Sequence, residues 1–103
     1  MSEATSGTFT FLLSDIEGST QLARRLGGGW GSVLADHHRL LRTAFEGAGG
    51  EGIGTQGDAF FVAFRRPTDA VGAALAAQRS LATHDWPEGV AVRVRMGIHT
   101  GEA

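Results

Sequence analysis

The chain has 103 residues, 42% of them hydrophobic and 19% charged, with a formal net charge of −2. That is the length and composition of one globular domain with a modest core, and it excludes a disordered or low-complexity chain. No cysteine is present and all nine basic residues are arginine, which excludes disulfides, thiolate metal sites and any mechanism that needs a lysine.

Residues 1–7 read as a polar leader with neither a basic start nor an apolar h-region, so no signal peptide is expected. No apolar run reaches the length of a membrane span, and a cytoplasmic location is the default expectation. The slightly negative charge gives no reason to expect a nucleic-acid partner. Thr8 to Leu13 alternate as a first strand that ends on Asp15. Ser19 or Thr20 is expected to cap a short helix carrying Leu22, Ala23 and Leu26, broken by Gly27, Gly28 and Gly29. A longer helix follows, with Trp30, Val33, Leu34, His37, Leu40, Leu41, Ala44 and Phe45 at helical spacing. Residues 51–56 form a weak second strand, a turn at Gln56 and Gly57 follows, and Ala59 to Phe64 form a strong third strand. Pro67 starts a helix expected to turn Val71, Ala74, Leu75, Gln78 and Leu81 inward. A loop from Trp86 to Gly89 leads to a last strand over residues 90–99, with Val90, Val92, Val94, Met96 and Ile98 alternating.

The order β-αα-β-β-α-β predicts an α+β domain of the ferredoxin-like split βαβ type, an antiparallel sheet with helices on one face. In that architecture the first and third strands are central, adjacent and antiparallel. Asp15 follows the first and Asp58 precedes the third, so topology brings together two carboxylates 43 positions apart. Two bare carboxylates about 4 Å apart repel by roughly 4 kcal/mol at an effective dielectric near 20. Against a total stability of about 5–15 kcal/mol, that repulsion points to a divalent cation between them, a proton on one, or side chains splayed into solvent. Asp oxygens suit hard cations such as Mg²⁺, and the turn Glu17-Gly18-Ser19-Thr20 opening a helix suits phosphate oxygens. Either Asp alone reads as a cap or hairpin residue; together they favour a metal–nucleotide site.

Other residues read more plainly. His37 and His38 are expected to point apart on one helix, as surface or partly buried side chains. Arg93 and Arg95 are expected to face away from the helices on a charged edge strand. Trp30 and the group Phe60, Phe61 and Phe64 are expected in the core.

Phe11-Leu-Leu-Ser-Asp15-Ile-Glu-Gly-Ser-Thr20, Gly57-Asp58-Ala-Phe-Phe-Val-Ala-Phe64 and Arg95-Met-Gly-Ile-His-Thr-Gly101 resemble, in order and spacing, the class III adenylate/guanylate cyclase catalytic domain. The resemblance runs from residue 8 to 103. It implies that Asp15, Asp58 and the Ile16 carbonyl hold two divalent cations, Mg²⁺ or Mn²⁺, and that Glu17, Gly18, Ser19 and Thr20 cradle the triphosphate of ATP or GTP. It implies two-metal displacement that forms a 3′,5′-cyclic nucleotide for signalling, in a homodimer or with a partner domain. The family's base-selecting lysine falls at Gly54, which has no side chain to read a purine. The family's transition-state Asn and Arg lie past Gly101, so residues 8–103 read as a truncated cyclase homology domain, and this chain alone is expected to be inactive. A non-enzymatic nucleotide-binding regulatory module is the alternative. A diguanylate-cyclase-like domain is another, although two of that family's five hairpin positions differ here. A haloacid-dehalogenase phosphatase fits less well, because it wants a second Asp where Glu17 stands, and a parallel sheet.

Overall fold

The computed structural model describes residues 8–102; the expected leader, residues 1–7, and Ala103 lie outside the described residues. Strand β1 (Thr8–Ile16) is followed by helices α1 (Ser19–Leu26) and α2 (Trp30–Gly47), joined by a 3₁₀ turn at Gly27–Gly29. Strands β2 (Glu51–Gln56) and β3 (Ala59–Phe64), helix α3 (Pro67–Thr83), a 3₁₀ turn at Pro87–Gly89 and strand β4 (Val94–Glu102) complete the chain. The sheet order is β2-β3-β1-β4, with every pairing antiparallel. The split βαβ arrangement, with β1 and β3 central, is therefore present as expected.

Helices cover one face of the sheet. Leu12 and Ile16 from β1 and Phe60, Val62 and Phe64 from β3 meet Val33, Leu41 and Phe45 of α2, and all of them are buried. The Phe45 and Phe60 rings meet edge to face with centroids 5.5 Å apart, a favoured aromatic geometry. Thr10 is also buried on this face, and its hydroxyl lies 2.9 Å from that of Thr100 across the β1–β4 pair, so neither is left without a partner. Trp30 packs against the core as expected, though only partly buried.

Two expectations about faces and one about a strand boundary are corrected. Phe61 is not core: with Leu13 opposite it, it lies on the uncovered face, 45% exposed against 50% for Leu13. Val71 and Leu75 do not point inward; α3 buries Ala70, Ala73, Ala77 and Leu81 instead. Small side chains fill most of the inner face of this helix, Leu81 lies inward as expected, and Val71 and Leu75 fall on the outer side. The last strand begins at Val94 rather than Val90. The Glu17 N–H donates to the Arg93 carbonyl at 2.8 Å, and β1 then turns away at Gly18, so residues 90–92 have no strand to pair with. Val90 and Val92 still bury their side chains.

The histidine pair is corrected too. His37 is fully buried in α2, and its ring centroid lies 5.0 Å from that of His38, with the two Nδ1 atoms 3.0 Å apart. His38 Nδ1 also lies 2.9 Å from the Leu34 carbonyl, which assigns the His38 proton to Nδ1. His37 Nδ1 is then an acceptor and its proton sits on Nε2, a buried atom with no hydrogen-bond partner. Burial, reinforced by His38, pushes the His37 pKa down to about 4, with Asp58 pulling weakly the other way.

Candidate metal and phosphate site

The β2–β3 hairpin turns through Gly57 and Asp58, with Gln56 paired to Ala59. Gly57 has φ 60°, a left-handed conformation that a side chain would strain. This tight turn aims Asp58 at the end of β1, where its Oδ2 accepts a hydrogen bond from the Ile16 N–H at 2.7 Å. The Asp58 carboxylate thus sits against the peptide that joins Asp15 to Ile16. The structure brings together Asp15, Ile16 and Asp58 across 42 positions of chain.

Asp15 has a different partner. It stands opposite Arg95 in the β1–β4 register. Arg95 Nε donates to Asp15 Oδ1 at 2.9 Å and Nη2 to Oδ2 at 3.2 Å. The bond and charge of Asp15 raise the Arg95 pKa above its already high ordinary value. Arg95 lies on the edge strand as its sequence pattern suggests, and its pairing with Asp15 follows from the β1–β4 register, which the sequence pattern does not reveal. The carboxylates are therefore neither bare nor bridged: one is met by a guanidinium, the other by a backbone N–H.

Gly18 is the N-cap of α1, with φ 65° and ψ 35° and no side-chain cap; the helix begins at Ser19, so neither Ser19 nor Thr20 caps it. The first turn holds no acidic side chain, and Arg24 and Arg25 lie in the last turn, an arrangement that leaves the positive end of the helix dipole uncompensated. A cavity of about 380 Å³ runs beside this turn, lined by Glu17, Gly18, Gln21, Arg25 and Arg93. A second, of about 400 Å³, lies on the open face beside Asp15, Ala59, Arg95 and Gly97. Gly54 opens onto a third of about 360 Å³, where Leu13, Gln56 and Phe61 form the wall. A larger cavity of about 540 Å³, between the end of α3 and Trp86–Val94, contains neither carboxylate.

The donor set fits a hard cation. Among the described residues no cluster of three or more His, Cys, Asp or Glu side chains forms a closed metal cage. Two carboxylates with backbone oxygen nearby, leaving room for water and phosphate, are what Mg²⁺ commonly takes beside a substrate phosphate.

The adenylate and guanylate cyclase catalytic domain family matches residues 1–103. The chain belongs to this family. An adenylate cyclase of Podospora anserina is 30% identical over 118 aligned residues, covering 96% of this chain and 6% of that protein. An adenylate cyclase of Trypanosoma brucei, solved in its monomeric state, superposes with a TM-score of 0.85 at 27% identity, covering 92% of this chain and 57% of that one. A guanylate cyclase domain of Catenaria anguillulae, solved in complex with GTP, superposes with a TM-score of 0.81 at 21% identity and shares the fold, covering 93% of this chain and 57% of that one. The chain thus spans a small part of the fungal relative and somewhat over half of the solved cyclase domains. Among the described residues, no helix is long and apolar enough to cross a membrane.

Proposed function

We propose that residues 8–102 form the metal- and triphosphate-binding part of a class III nucleotidyl cyclase that takes ATP or GTP with Mg²⁺ or Mn²⁺ to make a 3′,5′-cyclic nucleotide. The observation that carries this reading is the Asp58 carboxylate held against the Asp15–Ile16 peptide at 2.7 Å from the Ile16 nitrogen. The Asp15 and Asp58 carboxylates and the Ile16 carbonyl would hold two divalent cations. When bound, such ions lower the barrier to attack by the ribose 3′-hydroxyl on the α-phosphate and neutralise the β- and γ-phosphates.

The chain's own residues bind and orient. The N–H groups that open α1 after Gly18 receive phosphate oxygens, favoured by the helix dipole. The open face beside Gly54, Leu13 and Phe61 receives the base on apolar side chains. A glycine at position 54 offers the purine no side-chain hydrogen bond, so the base is held by shape and apolar contact. A second copy or a partner domain would complete the site, in keeping with the two exposed apolar side chains on that face.

Two experiments test this reading. Adding Mg²⁺ with ATP, and separately with GTP, should move the amide resonances of Gly18, Ser19 and Thr20, with affinities for the two nucleotides within a few-fold of each other. Shifts confined to another surface would remove the phosphate cradle, and a strong preference would show that another group reads the base. In the second, purified chain with Mn²⁺ and either nucleotide should form little cyclic product by chromatography, no more than an Asp15→Ala control. Among the described residues, the arginines lining the cavities beside Asp15 and Gly18 are Arg95, committed to Asp15, Arg25, bonded to the Glu88 carbonyl, and Arg93; donors aimed at developing phosphate charge are usually a large part of catalysis. Product well above the control would show that residues 1–103 supply those donors. The Gly54 position also favours a second reading, a non-enzymatic module that binds nucleotide without turnover, and the same product assay separates the two in the assembled protein.

A further inference from the structure

Asp15 and Arg95 come from opposite ends of the chain and meet because the β1–β4 register sets them directly across from each other. Their contact uses both carboxylate oxygens, at 2.9 Å and 3.2 Å, and two nitrogens of the guanidinium. That fork-on-fork match is the strongest form an Arg–carboxylate pair takes. The Arg95 and Asp15 side chains remain 65% and 46% exposed respectively, so the pair is free to open without disturbing the core. Arg93, two residues earlier, makes no ion pair with Asp15; its carbonyl serves the backbone of Glu17.

A divalent cation on Asp15 needs the same oxygens and carries the same sign of charge as the guanidinium beside it. We propose that Arg95 is a built-in counter-cation for Asp15, so that the guanidinium and a divalent cation occupy this carboxylate in alternation. The proposal rests on reading Asp15 as a cation ligand. It explains how the chain tolerates two converging carboxylates without metal: Asp15 is neutralised by Arg95, and Asp58 is bonded by the Ile16 N–H. It also gives cation loading a consequence, because each cation bound at Asp15 frees a guanidinium on the same open face. The affinities for the cation and for an anionic ligand on that face are thereby coupled.

The test is calorimetric titration with Mn²⁺, without nucleotide, of the unaltered chain, Arg95→Gln, Arg93→Gln and Asp58→Asn. Releasing this exposed ion pair should tighten Mn²⁺ binding about fivefold in Arg95→Gln. Arg93→Gln removes the same charge nearby without touching Asp15 and should tighten it about twofold at most. In the unaltered chain, Mg²⁺ should also shift the Arg95 Nε–H resonance toward that of a free, solvated arginine. Equal tightening in the two arginine variants would reduce the effect to a general field and overturn the alternation, as would an unchanged affinity in Arg95→Gln or an unmoved Nε–H signal. If the unaltered chain binds Mn²⁺ and Asp58→Asn does not, any of those results sinks the alternation alone. If neither the chain nor Arg95→Gln binds Mn²⁺, both the alternation and the cation site fall.

Discussion

Saturating Mn²⁺ should raise the melting temperature of this protein by roughly 10–20 °C, and Asp58→Asn should abolish the rise. A ligand at about 100 times its Kd stabilises the folded state by roughly 2.7 kcal/mol. Each kcal/mol moves Tm by about 4–8 °C in a domain of this size. Asn is the informative replacement because its side-chain oxygen can still accept the Ile16 N–H that Asp58 Oδ2 accepts at 2.7 Å. The variant keeps the hydrogen bond that fixes the hairpin against β1 and loses only the charge. Its melting temperature without metal should therefore stay close to that of the unaltered chain. Scanning calorimetry with and without Mn²⁺ on the two proteins reads both quantities. Equal rises in both would show that Mn²⁺ binds elsewhere, and a variant that melts far lower without metal would show that the carboxylate charge itself holds the hairpin.

The order of elements and the approach of Asp58 to the end of β1 were legible because they depend on periodicity and topology. Alternation marks β1 and β4, the glycines mark the breaks, and antiparallel central strands bring the turn that carries Asp58 to the end of β1. What the sequence left hidden depends on which face is covered. Phe61 looks like core because the run from Ala59 to Phe64 is wholly apolar, a pattern usual for strands covered on both sides. Here helices cover one side only. In α3 the larger residues Val71 and Leu75 suggested the inner face, yet close packing put Ala70, Ala73 and Ala77 there. Arg95 was opaque for another reason: its partner lies 80 positions away, and only the β1–β4 register decides which residue stands opposite. At Arg95 this register puts a cation directly on a carboxylate that the motif alone assigns to metal. His37 fell on the helical stripe by its spacing, while its polarity argued for the surface. The spacing was the better guide.

That buried histidine should make the domain lose stability as pH falls from about 6.5 to about 4. The His37 pKa is depressed to about 4 in the folded chain and is near 6.5 when the chain is unfolded. The unfolded state therefore takes up the proton first, and stability rises with pH across this window. The His37 contribution is fully present above about pH 6.5 and is lost as pH drops toward the folded value. At about 1.4 kcal/mol per unit, the loss is on the order of 2–3 kcal/mol, a large share of a small domain's total. The charged form is disfavoured because the ring lies buried between His38, 5.0 Å away, and Phe60, 5.8 Å away between centroids, with no partner at Nε2. His38 opposes the added charge and Asp58 favours it weakly. Carboxylates also begin to titrate toward pH 4, so the comparison must be a difference. In His37→Leu, urea unfolding followed at pH 7.0, 6.0 and 5.0 should show a smaller decline than in the unaltered chain. The change also removes a buried, unpaired polar atom, which can be neutral or stabilising. At pH 7.0 the variant should therefore lie near the parent, and by pH 5.0 it should be the more stable of the two. Parallel declines in both proteins would mean that His37 protonates as readily in the fold as outside it, and that its burial is relieved by a motion that opens α2 toward solvent.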